Sequence, residues 1–414
     1  MNKPTGMAAY IVVTAAYWAF MLSDGALRML VLLHFHTLGF SPVQLAYLFI
    51  LYEIAGIITN LGAGWIAARF GLSSTLYAGL ALQILALIAL LQLSGDWTIW
   101  TSVAYVMFAQ GLSGIAKDLS KMSAKSAVKL LAPTTEGGLF RWVAILTGSK
   151  NAIKGLGFFL GAATLGAFGF NAVIQGMVVF LTVILLILIL RMPAGLPTGR
   201  KGTKFKEVIS KNRNVNWLSL ARVFLFGARD VWFVVGIPIY FYAVLSDGST
   251  DGNRNAFFLI GGFMALWIIL YGLVQGNAHR ILRATTRCPN ALIQDAARWA
   301  WMLLIVPICL SVFLYMRPDA TTLNAIVVVI GLLVFGAIFA VNSSLHSYLI
   351  LEFSTGSRVT MDVGFYYMAN ASGRLLGTLL SGLSYQLGGV GTCLTIAALM
   401  LAISAFAAGR LKSS

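Results

Sequence analysis

Charge is what this chain has least of. Only 10% of its 414 residues are Asp, Glu, Lys or Arg, where a soluble domain carries about 25%. Within that small set acids are scarcer still, 13 against 29 Lys and Arg, for a formal net charge of +16. Cysteine is nearly absent. Cys288, Cys309 and Cys393 lie far apart, form no C-x-x-C and imply no disulfide framework. No G-x-x-x-x-G-K-[ST] is present, so ATP hydrolysis is not encoded, and no hydrolase motif or coherent metal-ligand set appears. These absences argue against an enzyme and against a cofactor. The amino-terminal MNKPTGMAAY has no small-residue cleavage site, so the first apolar span is expected to stay in the membrane.

What is abundant is apolar length: 59% hydrophobic residues and a mean hydropathy of +0.86. That composition is an all-α integral membrane protein, with lipid as its main neighbour. A span needs about 20 apolar residues. Twelve are predicted, over 9–36, 42–67, 73–93, 98–118, 140–168, 171–191, 216–245, 255–278, 292–316, 322–349, 362–387 and 390–409. Turn signals at Gly39-Phe-Ser-Pro42, Ser94-Gly95-Asp96, Gly169-Phe-Asn171 and Gly388-Gly389 separate them. The cations sit in alternate short loops: Lys3, Arg69, Lys121–Lys129, Arg191–Arg213, Arg280, Arg283, Arg287, Arg358, Arg410 and Lys412 on one side, only Arg254 and Arg317 on the other. The positive-inside rule places the first set and both termini in the cytoplasm. The same dispersal argues against nucleic acid as the partner of the positive charge.

The segment PAGLPTGRKGTKFKEVISKNRN is Gly/Pro-rich, then basic, and divides the chain nearly in half. It reads as a linker (193–214) between two six-helix bundles, 1–192 and 215–414, with Lys204–Arg213 a candidate surface helix. The halves echo each other. Phe20-x-x-x-Asp24 matches Phe226-x-x-x-Asp230, His34-Phe35 matches Tyr240-Phe241, and Lys154-x-x-Gly157 matches Arg374-x-x-Gly377. A parallel repeat of this kind resembles the major-facilitator fold. Gly64-Trp-Ile-Ala-Ala-Arg69-Phe-Gly71 is similar to that superfamily's G-x-L-A-D-R-x-G loop motif, with Ala68 at the acidic position.

The stretch from Gly114 to Gly157 is the most informative. Lys117, Lys121, Lys125 and Lys129 recur every four residues, one stripe of a helix. Lys150 and Lys154 then share a face inside an apolar span. An intramembrane lysine costs about 2.5–3.5 kcal/mol on insertion scales, so it should face protein or water. For Lys121, Lys125 and Lys129 a snorkelling, positive-inside loop is the simpler reading; Lys154 is too deep for it. Arg28, Lys154, Arg229 and Arg374 all fall within roughly 10 Å of mid-span. Spans three, six and twelve have no interior charge, and span nine has only Asp295 and Arg298 near one end, so these are expected outside, against lipid. The remaining helices would enclose a polar cavity with more cations than acids, which calls for an anionic ligand. The competing reading is a set of structural ion pairs, with Asp24 pairing Arg28 at i,i+4 and Arg229 pairing Asp230.

The candidate substrate-binding residues are therefore Arg28, Lys117, Lys150, Lys154, Arg229 and Arg374, with Tyr366 and Asn370 as cavity lining beside Tyr367. Glu53, Asp24 and Asp230 are the candidate proton-coupling acids. Glu53 leads because it has no sequence-adjacent cation and is expected in an apolar setting. His34 and His36 face different sides of a helix, which disfavours a shared metal. Asn342, Ser343, Ser344 and His346 are either cavity lining or helix packing.

The blocks YWAFMLSDGALRMLVLLHFHTLGFSP, YEIAGIITNLGAGWIAARFGL, GIAKDLSKMSAKSAVKLL, WVAILTGSKNAIKGLGFFLG and LARVFLFGARDVWFV closely resemble the ArsJ family of organoarsenical efflux permeases. The resemblance implies a bacterial inner-membrane carrier exporting 1-arseno-3-phosphoglycerate, a product of glyceraldehyde-3-phosphate dehydrogenase acting on arsenate, and so arsenate resistance. Such a carrier is expected to act as a monomer by alternating access. A general organophosphate or organic-anion exchanger, and a non-transporting membrane sensor, are the other readings; the absence of a soluble signalling domain speaks against the sensor.

Overall fold

The computed structural model describes residues 3–70, 72–131, 138–192, 210, 212–282, 289–319, 321–354 and 359–412; side chains are described for these except 3–10, 63–70, 72, 125–131, 138–148, 289 and 359–361. The Gly64–Gly71 motif, Lys125, Lys129, most of the Lys204–Arg213 segment (204–209 and 211), Arg283, Arg287, Cys288 and Arg358 lie wholly or in their side chains outside what is described. Among the described residues all regular structure is helical. The helices are α1 (Lys3–Thr37), α2 (Pro42–Tyr47), α3 (Ile50–Phe70), α4 (Leu72–Leu90), α5 (Ile99–Leu131), α6 (Gly138–Phe168), α7 (Phe170–Arg191), α8 (Arg213–Phe233), α9 (Gly236–Leu245), α10 (Thr250–Ile281), α11 (Pro289–Met316), α12 (Thr322–Phe353) and α13 (Val359–Ala408).

Among the described residues eleven segments are long and apolar enough to cross a bilayer. The last, Asp362–Ala408, has 47 residues, about twice what one crossing needs. It breaks at the predicted turn: Gly388 (φ −167°, ψ 31°) and Gly389 (φ 65°, ψ −162°) are not helical, and Gly389 sits where a Cβ is disfavoured.

Two predicted spans are broken where the sequence reading drew them whole. The second is α2 and α3, interrupted by a turn at Leu48–Phe49. Its start is fixed by Pro42 and by a capping box between Ser41 and Gln44. The seventh is α8 and α9. Pro238 has no N–H to continue the helical ladder, and the Val235 and Gly236 amides donate instead to Ser381 Oγ at 3.1 and 3.2 Å. Conversely, α5 runs on to Leu131, well past the predicted end at residue 118, so the lysine stripe belongs to one continuous helix. At the turn before α10, the Ser249 hydroxyl and amide donate to Asp247 Oδ1 (2.6 and 2.9 Å), which holds that exposed carboxyl below its usual range.

Within the first half α1 packs on α6; within the second, α8 packs on α13. Small residues permit both approaches. A Cβ on Gly157 would lie 3.2 Å from the Gly25 Cα, and one on Gly377 3.0 Å from the Gly227 Cα. The halves meet through α3 against α13 and α6 against α10. The helices without interior charge present apolar side chains outward: Leu85 of α4, Leu190 of α7 and Leu399 at the end of α13 are all more than half exposed. α11 does the same through Ile305, and its Asp295–Arg298 pair, 3.4 Å apart, stays near one end.

Candidate functional site

The charged residues converge where α1, α3, α5, α6, α8 and α13 face one another. The two K/R-x-x-G repeats explain how. Gly157 lets α6 lie against α1, and Lys154, one turn earlier, reaches Asp24 at 2.7 Å. Gly377 lets α13 lie against α8, and Arg374, one turn earlier, lies 3.8 Å from Asp230. The predicted Asp24–Arg28 pair does not form. Adjacent turns of α1 aim these two side chains at different helices. Asp24 takes Lys154 and the Tyr52 hydroxyl (2.6 Å), while Arg28 turns to Glu53 (3.3 Å). The predicted Arg229–Asp230 pair is present at 2.6 Å.

Glu53 is the centre of the arrangement and fully buried. It does not have the apolar surroundings expected of it. Arg28 of its own half approaches from one side; Arg374 of the other half donates to Oε1 at 2.6 Å and lies 2.5 Å from Oε2. Sequence adjacency missed both, since the cations come from α1 and α13. This pair joins the two halves of the molecule by charge.

Lys117 has its Nζ 3.9 Å from the Tyr52 ring centroid, a cation–π geometry. Its neighbour Asp118 is buried, accepts from Thr59 Oγ1 at 2.5 Å and pairs with Lys121 at 3.3 Å. Lys121 also donates to Asn60 Oδ1 (2.8 Å) and lies over Tyr367, so it is engaged with α3 and α13 rather than extended freely to the surface. Lys150 is one turn before Lys154 and partly buried. Tyr366 and Asn370 do not line the Glu53 centre; they surround Arg222. Asn370 Oδ1 accepts from Arg222 Nε at 2.9 Å, and Tyr366 lies under its guanidinium.

Tyr52, Asp118 and the role of Arg222 were missed from sequence. Asp118 was legible as the acid three before Lys121 in KDLSK. Tyr52 carries no such signal; only folding places its phenol on Asp24. His34 stacks on Phe170 and His36 meets Tyr242 edge-on, so the two imidazoles serve different contacts.

Among the described residues the cluster gathers seven cations (Arg28, Lys117, Lys121, Lys154, Arg222, Arg229, Arg374) and four carboxylates (Asp24, Glu53, Asp118, Asp230), all buried or partly buried. An apolar groove of about 440 Å³ lies beside it, between α1, α6 and α7, lined by residues such as Leu22, Leu160, Phe168 and Phe180. It lacks the charge that defines the centre and belongs to the outward apolar face.

Long apolar helices in two halves, closing on a charged centre, define a membrane transporter. A model of the Major Facilitator Superfamily matches residues 10–346, and the chain belongs to that superfamily. Solved structures share the fold at low identity. A POT family transporter in complex with 5-aminolevulinic acid is 14% identical at a TM-score of 0.71, over 96% of this chain and 94% of its own. A peptide transporter POT in complex with sulfate is 13% identical at 0.71, over 98% and 97%. The nucleoside transporter NupG is 16% identical at 0.67, over the whole of both chains. No curated protein sequence matches the chain significantly.

Proposed function

We propose that this protein is a secondary exporter of 1-arseno-3-phosphoglycerate, working by alternating access in a bacterial inner membrane and conferring arsenate resistance. In this reading it is a monomer with both termini cytoplasmic, and the break at Gly388–Gly389 makes α13 two crossings, twelve in all. The observation that carries the proposal is the excess of cations over carboxylates at the meeting point of the halves. A buried charge surplus is costly unless an anion shares the site. Arginine forks and lysine point charges suit oxyanions such as phosphate and arsenate. The ArsJ resemblance supplies the particular anion, and the structural relative solved with sulfate is compatible with oxyanion recognition on this fold.

Glu53 gives the site its exchange chemistry. Before an anion arrives, its carboxylate balances Arg28 and Arg374. An oxyanion takes over those guanidiniums and releases Glu53, loosening the charge link between halves. This arrangement favours Glu53 as a resident counter-ion over Glu53 as an antiported proton's carrier. When the anion leaves, the carboxylate returns to two cations. Asp24 and Asp230 are likewise held by Lys154 and Arg229. The inside-negative potential, worth about 2.3 kcal/mol per charge per 100 mV, is then the first driving force, with proton antiport through Glu53, Asp24 or Asp230 the second reading.

The test is uptake of purified 1-arseno-3-phosphoglycerate into everted vesicles, with 3-phosphoglycerate as competitor. Saturable uptake that excess 3-phosphoglycerate inhibits is expected. Uptake of 3-phosphoglycerate alone would favour a general organophosphate exchanger, and no uptake of either would favour a sensor. With the potential clamped and only the pH gradient varied, unchanged rates are expected; a gradient dependence lost in Glu53→Gln would restore the antiport reading.

A further inference from the structure

Arg222 is a buried guanidinium without a carboxylate. It is 5% exposed, and among the described residues no acid lies within ion-pair distance. Its Nε donates to Asn370 Oδ1 (2.9 Å), and its Nη1 donates to Ser343 O (3.0 Å) and Ser343 Oγ (3.2 Å). Nη2 has no acceptor among the described residues. The guanidinium lies 3.9 Å over the Phe226 ring, and Arg229 lies 4.8 Å over the same ring. Phe226 thus contacts both Arg222 and Arg229, the second of which pairs with Asp230.

The wall that Arg222 touches holds further unused polar groups. Asn342 adjoins Ser343 on α12 and His346 follows one turn later. Both are fully buried, and neither side chain has a hydrogen-bond partner among the described residues. His346 is within electrostatic reach of Arg222. A buried charge and buried polar groups left unsatisfied are each costly, and such groups in a native interior ask for a ligand. An oxyanion held by Arg222 would supply the acceptor that Nη2 lacks among the described residues and a counter-charge beside this polar stretch of α12. The guanidinium also carries net charge that the Ser343 and Asn370 acceptors leave unneutralised.

We propose that Arg222, with Asn342, His346 and Asn370, forms a second oxyanion subsite, which holds the distal charged group of a two-headed organic anion whose first group sits between Arg28 and Arg374. The inference rests on the anion-carrier reading above and assigns the residues that hold the substrate's second charged end. Arg222 and Arg229 are seven residues apart on α8, roughly 10 Å along the axis, and Asn370 and Arg374 four apart on α13, about 6 Å. A short-chain acid with a charged group at each end spans that distance; a single inorganic anion does not. The aromatic ring of Phe226, in contact with both Arg222 and Arg229, would face the carbon chain.

Titration calorimetry on the purified full-length protein in nanodiscs separates the outcomes. The probes are 3-phosphoglycerate, with two charged ends, and glycerol 3-phosphate, with one. The wild type is expected to bind 3-phosphoglycerate at least tenfold more tightly. Arg222→Gln should weaken 3-phosphoglycerate about tenfold, to the level of glycerol 3-phosphate, and leave glycerol 3-phosphate unchanged. Equal loss for both ligands, or for neither, overturns the subsite. Should Arg222→Gln not fold, His346→Gln is expected to give the same selective loss, smaller in size, and an unselective result there overturns it equally. Wild-type binding of both probes with equal affinity defeats the subsite alone; binding of neither defeats the anion-carrier reading with it.

Discussion

The two halves of the molecule carry the same frame and use it differently. In the first, Lys154 of α6 pairs with Asp24 of α1 at 2.7 Å, and the pair is completed from within by Tyr52. In the second, the equivalent pair, Arg374 with Asp230, is stretched to 3.8 Å. The cause is one position. Where the first half has Ser23, whose hydroxyl donates to its own helix at Phe20 O, the second has Arg229, which claims Asp230 at 2.6 Å. Arg374 is left to reach across to Glu53. A repeat keeps its packing through K/R-x-x-G, and a single added guanidinium converts a self-contained half into one bound to its partner.

That difference is open to being broken. Arg374→Ala removes the cation that serves both halves and leaves Glu53 short of a partner; breaking a buried pair costs about 3–5 kcal/mol, so flux into everted vesicles should fall at least about 100-fold, with membrane insertion retained. Lys154→Ala should cost less, about 1.5–3 kcal/mol for one charge-assisted contact, because Asp24 keeps the Tyr52 hydroxyl. Normal flux in either variant would remove that residue from the site. Gly377→Ala places a methyl 2.8 Å from the Asp230 Cβ and 3.0 Å from the Gly227 Cα; overpacking of about 1–3 kcal/mol should lower the detergent-solubilised protein's unfolding temperature, and an unchanged temperature would mean that α8 and α13 are not held as closely as described. The smallest effect is expected from Arg229→Ser, which copies the first half into the second. Asp230 should then draw Arg374 away from Glu53 and change flux by a few-fold. A double-mutant cycle with Glu53→Gln should show coupling of about 0.5–3 kcal/mol, and strict additivity would contradict the link.

Much of this was readable without a fold. Hydropathy located the spans, and the charge pattern separated α4, α7 and the end of α13 from the charged centre, because an apolar face and a buried cation each leave a local mark. The echo of Asp24 with Asp230 and of Lys154 with Arg374 marked equivalent positions in the two halves, but not that each cation would pair with the acid of its own half. What failed was partner choice. Sequence proximity suggested Asp24 with Arg28 and an isolated Glu53, but ion pairs between helices depend on where neighbouring spans lie. Arg374 is 321 residues from Glu53, and no local rule joins them. The breaks at Leu48–Phe49 and Val235 were hidden for a related reason: apolar composition continues across them, and the second is capped by a serine from α13.

The central claim is that Glu53 is the resident counter-ion of Arg28 and Arg374, which a transported oxyanion must displace. It is tested most directly by the affinity of 3-phosphoglycerate for the purified wild type and for Glu53→Gln, measured by calorimetry at one fixed salt concentration. Removing the competing carboxylate is predicted to tighten binding at least about tenfold, equivalent to 1.4 kcal/mol, while vesicle flux falls because the released carrier has lost its own balancing charge. Unchanged or weaker binding in Glu53→Gln would contradict the account.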